Sequence, residues 1–483
     1  MTDVGRWCNR LGRIAVWGGG VVGKRYERVR RAAVAVLLLS SVLLAARSPR
    51  PARASSVCDT IFGNRYTGGS PRVLETIVDD VRMVVVLPPD YATSQRRYPT
   101  VFLLPGGISP PDDYITATDL LDFTESQPAN RQAIVVLLDF VSGRLFTNWR
   151  DGRYQGEDEF VNRIVPAIDA RFRTIADGRH RAIAGYSASG LASVNLAVHH
   201  PDLFAALGTL SSITHPDEHD AVITGIVVAG AAAFTGDCFG PADHADPFAF
   251  YGDPVNDALW WHNAGGVDGA INFRGMRVSL FTQTGVPCDQ RDVTDLVTDK
   301  PPFGFVEPEL QVQAERFDTA LATASVDHSW TYRACGIHTY RYIEQDLHDW
   351  WGSVFAAFET SAPARFDFRR ADARFTVWQW SFTADPGRAG EFLDVQDAAC
   401  DGLTLRGSGV ETVTTAPCFA PGQSVSIDDG VRRMTRTATS DGRVTFTVEL
   451  GRAHTLQQMT VAEQLVETTA GPNYWTTRHV TLR

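Results

Sequence analysis

Residues 180–190 read His-Arg-Ala-Ile-Ala-Gly-Tyr-Ser-Ala-Ser-Gly, a short apolar run that breaks at a Gly-x-Ser turn and continues in small residues toward His199. A run this short and apolar, bounded by glycine, reads as a buried strand, and Leu191 to His199 reads as a helix that follows it without a loop. Such a turn is sharp, and small residues on either side are what let strand and helix come close. A strand feeding directly into a helix is half of a βα unit. Chains built from such units fold with a mostly parallel sheet covered by helices on both faces.

The neighbouring segments agree. Residues 80–86, Pro99 to Leu104, Ile134 to Asp139, Leu203 to Leu210, Val278 to Gln283 and Ser329 to Cys335 read as strands, and Phe160, Ile164, Ile168 and Phe172 recur on one face of a helix. Tyr342 to Phe358 reads as a closing helix. Ser361-Ala362-Pro363-Ala364 then marks a boundary, beyond which Val444, Phe446, Val448 and Leu450 alternate with polar neighbours and Asp429-Gly430 and Asp441-Gly442 supply hairpin turns. The expected organisation is an α/β unit over residues 55–362 and a small all-β sandwich over 365–483.

Residues 1–54 read as a leader. A basic stretch from Arg25 to Arg31, an apolar run from Ala32 to Ala46 and an Ala52-Arg53-Ala54 cleavage site resemble a secretory signal, and the run is short for a membrane span. The leader holds 11 of the 45 basic and two of the 56 acidic side chains, so the remainder carries a formal charge of −20. That surface repels nucleic acid and anionic membranes. Six cysteines remain: Cys58, Cys238, Cys288, Cys335, Cys400 and Cys418. An even number in an exported chain points to disulfides, with Cys400–Cys418 the expected pair and three possible connections among the other four. No spacing resembles a metal site, and Gly18-Gly19-Gly20 lies in the leader, so no metal or nucleotide cofactor is implied.

The turn at Ser187 carries the chemistry. A serine hydroxyl is a weak nucleophile near neutral pH and needs a base within hydrogen-bond reach, oriented by an acid. Ser187 is the expected nucleophile. Of twelve histidines, His338 follows Gly336 after the last strand and precedes the closing helix, the place for the base in the order serine, acid, histidine. The acid should lie between Val278–Gln283 and His338, where Asp289, Asp292, Asp295, Asp299, Glu307 and Glu309 all qualify; Glu307 is the first choice and Asp289 the alternative. The backbone N–H groups of Ala188 and Gly107, the latter in the Leu104-Pro105-Gly106-Gly107 turn, are the expected oxyanion donors. Trp149, Trp260 and Trp261 fall in loops and are candidates for an acyl or glycan pocket.

Several of these motifs carry a family resemblance. Leu87-Pro88-Pro89 with Tyr98-Pro99, the Leu-Leu-Pro-Gly-Gly turn, Gly185-Tyr186-Ser187 with His200-Pro201-Asp202-Leu203-Phe204, and Gly336-Ile337-His338 resemble the esterase-D-like branch of the α/β-hydrolases. Within it the chain is most similar to the secreted mycolyltransferases of actinobacteria: Phe305-Val306-Glu307 resembles their Phe-Leu-Glu acid segment, Pro111-Asp112-Asp113-Tyr114 their Asp-Asp-Tyr, and Ser189 stands where other hydrolases have the second glycine of G-x-S-x-G. The resemblance covers roughly residues 75–360. It implies an α/β-hydrolase fold and an exported serine esterase or acyltransferase working through an acyl-enzyme on an ester or glycolipid, secreted or associated with the cell envelope, with the cell wall among the expected contacts. Ile108-Ser109-Pro110 lacks the arginine that those enzymes place near the sugar. The competing class is a non-catalytic cell-wall or glycan-binding protein on the same scaffold.

Overall fold

The computed structural model describes residues 66–107, 109–141, 143–216, 220–233, 245–298 and 306–483. The leader, Cys58 and Cys238 lie outside these residues.

Eight strands form one sheet: β1 (Val73–Val78), β2 (Val81–Val86), β3 (Thr100–Leu104), β4 (Ile134–Leu138), β5 (Arg181–Ser187), β6 (Ala206–Ser212), β7 (Arg277–Gln283) and β8 (His328–Arg333). Their order is β1-β2-β4-β3-β5-β6-β7-β8. The β1/β2 and β2/β4 pairs are antiparallel and the remaining pairs parallel. β3 and β4 are buried along their whole length, because each face of a parallel sheet is covered and every side chain must be apolar or paired. This is the expected α/β-hydrolase architecture.

Three helices of this unit position the site: α1 (Ser189–His199), α2 (Glu307–Thr323) and α3 (Tyr340–Phe358). On one face of the sheet Phe102, Ile183, Phe160 and Phe204 join the core that α1 closes with Val194 and Leu196. On the other face α3 buries Ile343, Leu347, Trp350 and Val354 against Ala182, Ala184 and Ala206. Each such side chain contributes about 1.5–3 kcal/mol on burial. Gly208 is required here, since a Cβ would lie 2.9 Å from the Trp350 ring. The helix expected around Phe160 to Phe172 begins a turn earlier, at Gly156, and passes through a π turn over Phe160–Ile164, in which Val165 N–H donates to Phe160 O. Pro166, which has no N–H and crowds the preceding turn, accounts for the irregularity.

The ten strands after Pro363 are antiparallel and form a four-stranded and a six-stranded sheet around Phe368, Val377, Phe382, Leu405, Val425, Phe446 and Val448. The Asp429-Gly430 turn joins two paired strands, Ser424–Asp428 and Arg433–Thr437. The Asp441-Gly442 turn is different: it carries the chain from Arg433–Thr437 in one sheet to Thr445–Glu449 in the other, so it is a crossover between sheets. This part also contains a helix that the strand periodicity does not predict, α4 (Val461–Ala470), begun by a capping box in which Thr460 Oγ1 accepts from Glu463 N–H and Glu463 accepts from Met459 N–H. The first strand of this part, β9 (Phe366–Arg370), is bonded to the hydrolase part at its end: Arg369 N–H donates to Asn272 Oδ1 at 2.7 Å and Ala371 N–H to Asn263 Oδ1 at 2.9 Å.

Candidate active site

Ser187 ends β5 with φ +59°, a left-handed conformation, and the register against β6 shifts between Tyr186 and Ser187. A non-glycine residue held this way costs about 1–3 kcal/mol, which the surrounding packing must offset. The packing is visible in two glycines. A Cβ on Gly185 would meet Ser193 Oγ at 2.7 Å, and one on Gly190 would meet Ile213 O at 2.6 Å. Ser189 fills the place of the customary second glycine and uses its hydroxyl: Oγ accepts from Tyr186 N–H at 3.0 Å and lies 2.9 Å from Leu104 O. The hydroxyl therefore ties the turn to the end of β3, and the demand for a glycine falls one residue later, on Gly190.

His338 approaches from the loop after β8. Gly336, at φ +130°, donates its N–H to Val286 O at 2.7 Å, and the Cys288–Cys335 disulfide joins the loop after β7 to the same turn. The imidazole packs beside the Tyr186 ring, 4.7 Å between centroids. Its Nε2 lies 2.8 Å from Ser187 Oγ and its Nδ1 2.6 Å from Glu307 Oε1.

Glu307 is the first residue of α2, followed by Pro308 where a missing N–H costs nothing. It is fully buried. Its charge is met by three donors and by the helix N-terminus: His338 Nδ1, Gln283 Nε2 at 2.7 Å and Ser211 Oγ at 3.0 Å. Gln283 also reaches Ile337 O at 3.2 Å, so one amide spans the acid and the histidine loop. Sequence reasoning did not single out Gln283 or Ser211. Their signal is a polar side chain ending an otherwise apolar strand on the edge where the serine sits.

The alternative acid lies elsewhere. Asp289 is exposed and paired with Arg341 at 2.7 Å, and hydrogen bonds from Arg341 and from backbone N–H groups hold its carboxyl down to about 2. Asp292 is buried, accepting from Tyr342 O–H at 2.6 Å, Cys288 N–H at 2.7 Å and Arg341. Asp299 lies outside the described residues. Gly107 lies against Ala188, where a Cβ on the glycine would come within 3.0 Å of the alanine's. Gly107 therefore sits beside the residue that follows Ser187.

The three tryptophans gather away from this constellation. Trp149 and Trp260 line a cavity of about 210 Å³ whose wall contains neither Ser187 nor His338. Trp261 is buried beside it, its N–H donating to Gly252 O at 3.1 Å. The expected Cys400–Cys418 disulfide forms in the β part, with 5.3 Å between Cα atoms.

A family model described as "Putative esterase" matches residues 75–354. The chain belongs to this esterase family. Esterase Rv1288 of Mycobacterium tuberculosis is 31% identical over 134 residues, 26% of this chain and 28% of that protein. The MPT51 antigen of Mycobacterium leprae is 29% identical over 119 residues, 25% of this chain and 36% of that one. The matches thus span about a third or less of those relatives' length. Among solved structures, Mycobacterium tuberculosis MPT51 (FbpC1) aligns with 60% of this chain and 100% of that one at 17% identity and a TM-score of 0.47.

Proposed function

We propose that this protein is an exported serine ester hydrolase or acyltransferase that works through an acyl-enzyme on Ser187. The observation that carries the reading is the unbroken path Ser187 Oγ, His338 Nε2, His338 Nδ1, Glu307 Oε1, at 2.8 and 2.6 Å. Ser187 Oγ attacks the ester carbonyl carbon while His338 Nε2 takes its proton. The tetrahedral oxyanion is held by the N–H groups of Gly107 and Ala188, each such donor being worth about 10²–10³ in rate. The intermediate collapses, the leaving alkoxide takes the proton from His338, and the acyl group stays on Ser187. Water or an acceptor alcohol then repeats the sequence in reverse. Glu307 keeps Nδ1 protonated and steadies the imidazolium, which frees Nε2 to accept.

Export is supported by the basic and apolar leader and by two disulfides among the described residues. The test is labelling of the full chain with a fluorophosphonate, followed by peptide mass spectrometry. A single adduct on Ser187, absent in Ser187→Ala, together with turnover of p-nitrophenyl esters, is the expected result. Unlabelled wild-type protein with no ester turnover would sink the reading and favour a non-catalytic binding protein.

A further inference from the structure

Helix α3 buries a carboxyl that the acyl-transfer chemistry does not use. Asp346 is 1% exposed. Its cation is Arg333, the last residue of β8, whose Nη2 lies 2.7 Å from Asp346 Oδ1 and 3.0 Å from Oδ2 of Asp349, an exposed residue of the same helix. One guanidinium nitrogen is therefore shared between two acids. Among the described residues, no N–H or O–H donates to either oxygen of Asp346 with hydrogen-bond geometry. A buried carboxylate normally collects several donors, as Glu307 does, and one left with a single shared cation is costly to keep ionised.

The pair sits at the root of the histidine loop. Arg333 and Asp346 bracket residues 334–345, the stretch that carries His338 from β8 into α3. Arg333 stands opposite Gln283 in the β7/β8 register, and Gln283 is the residue whose amide reaches both Glu307 and Ile337 O. One turn before Asp346 on α3, Tyr342 meets Gln283 around Gly336, where an added Cβ would lie 3.0 Å from each side chain. Charge couples the same groups. Burial pushes the Asp346 carboxyl up to about 8; Arg333 pulls the other way, and the like charges of Glu307 and Asp349 add to the rise. Tyr186, against which His338 packs, feels both Glu307 and Asp346. Arg333 of β8, Glu307 of α2, Tyr186 of β5 and Asp349 of α3 thus share its field.

We propose that Asp346 is a titratable positioning residue for the triad, and that loss of its proton strengthens His338 as a base. The inference rests on the reading of Ser187, His338 and Glu307 as an acyl-transfer triad. With the proton on, Asp346 is neutral and leaves the field at the imidazole to Glu307. With the proton released to solvent, Arg333 is drawn to Asp346 and a second negative charge acts on the site, favouring the imidazolium that forms as Ser187 attacks. Asp346 itself touches neither the substrate nor the reacting atoms.

The test is the pH profile of p-nitrophenyl ester turnover by the full chain, wild type against Asp346→Asn, with non-enzymatic hydrolysis subtracted. The ratio of wild-type to variant kcat/KM is expected to climb several-fold between pH 7 and pH 9, in kcat and with KM unmoved. A residue that only stabilises the fold would lower activity equally across the range, so a flat ratio overturns the proposal. Asp349→Asn leaves Arg333 wholly to Asp346 and is expected to move the rise to lower pH; an unmoved rise overturns the coupling through Arg333. Should Asp346→Asn fail to fold, ¹³C NMR of the wild-type aspartate carboxyls replaces it: one buried carboxyl is expected to titrate near pH 8, and its ionisation throughout pH 6–9 overturns the proposal. A Ser187 that takes no fluorophosphonate at any pH sinks the triad reading and this inference with it, whereas a reactive Ser187 with a flat ratio sinks the inference alone.

Discussion

Ser189 shows how a departure from a motif is absorbed by geometry. The usual glycine leaves room at that position; here a hydroxyl fills it and spans Tyr186 N–H and Leu104 O. Replacing it with glycine restores the common motif yet removes two buried partners, and such losses run at about 1–3 kcal/mol. Ser189→Gly is therefore expected to melt lower than wild type, with a loosened turn and a reduced rate; an unchanged melting temperature would show that the hydroxyl is idle. Glu307 was one of six carboxylates compatible with spacing, and only the fold tells them apart, because which side chain reaches His338 depends on how the α2 N-terminus meets the ends of β6 and β7. Glu307→Gln preserves shape but offers an amide that no longer fixes the imidazole's proton on Nδ1. A loss of about 10⁴ in kcat is expected, with KM little changed and fluorophosphonate labelling correspondingly slow. A drop below tenfold would remove Glu307 from the mechanism.

Strands and helices were legible where one physical signal dominated. The apolar runs of β3, β4 and β5 could only be buried strands, and the alternation through Val444, Phe446, Val448 and Leu450 matches the strand Thr445–Glu449 with those four side chains inside. Where signals compete, the reading stops short. α4 is short and exposes Val461 and Leu465, so it lacks an inward apolar face; its Thr460-x-x-Glu463 capping box was the available cue. Gly442 takes the positive φ of a tight turn, but turn chemistry does not say whether the next strand pairs with the last one. The connection between Cys288 and Cys335 was likewise one of several open to the sequence. That bond joins cysteines 47 positions apart, with Glu307 between them, and closes three residues before His338. By chain entropy it contributes about 4 kcal/mol. Reduction under native conditions, or Cys288→Ser with Cys335→Ser, is expected to lower the melting temperature and to cost ester turnover before global unfolding. Loss of stability with full activity at temperatures below the melt would limit the bond to a structural role.

The whole molecule turns on a junction of buried charge. Glu157, on the hydrolase side, receives Arg370 from β9 as well as His199 at the end of α1 and His200. Burial alone would push its carboxyl up, but His199 and Arg370 outweigh that and hold it well below its ordinary range. The sign of the pH effect follows. A carboxylate held low contributes stability that is complete above its unfolded pKa of about 4.3 and is lost as pH falls through the lower folded value. The hydrogen bonds that Ala371 N–H and Arg369 N–H donate to Asn263 and Asn272 carry no such charge, so acid weakens the Glu157 cluster and leaves these bonds in place. Arg370→Leu removes the same component at neutral pH and leaves Glu157 buried with only the histidines and Asn195, a loss of about 3–5 kcal/mol. Calorimetry of the wild type at pH 7 should give one transition spanning both parts. In Arg370→Leu at pH 7, and in the wild type as pH falls below about 4, the hydrolase part should melt ahead of the disulfide-closed β part in two resolved steps. If Arg370→Leu melts in a single step within a degree or so of wild type, the buried pair does not couple the two parts, and the other contacts across the junction, the bonds to Asn263 and Asn272 and the Arg274–Asp367 pair among them, hold them together.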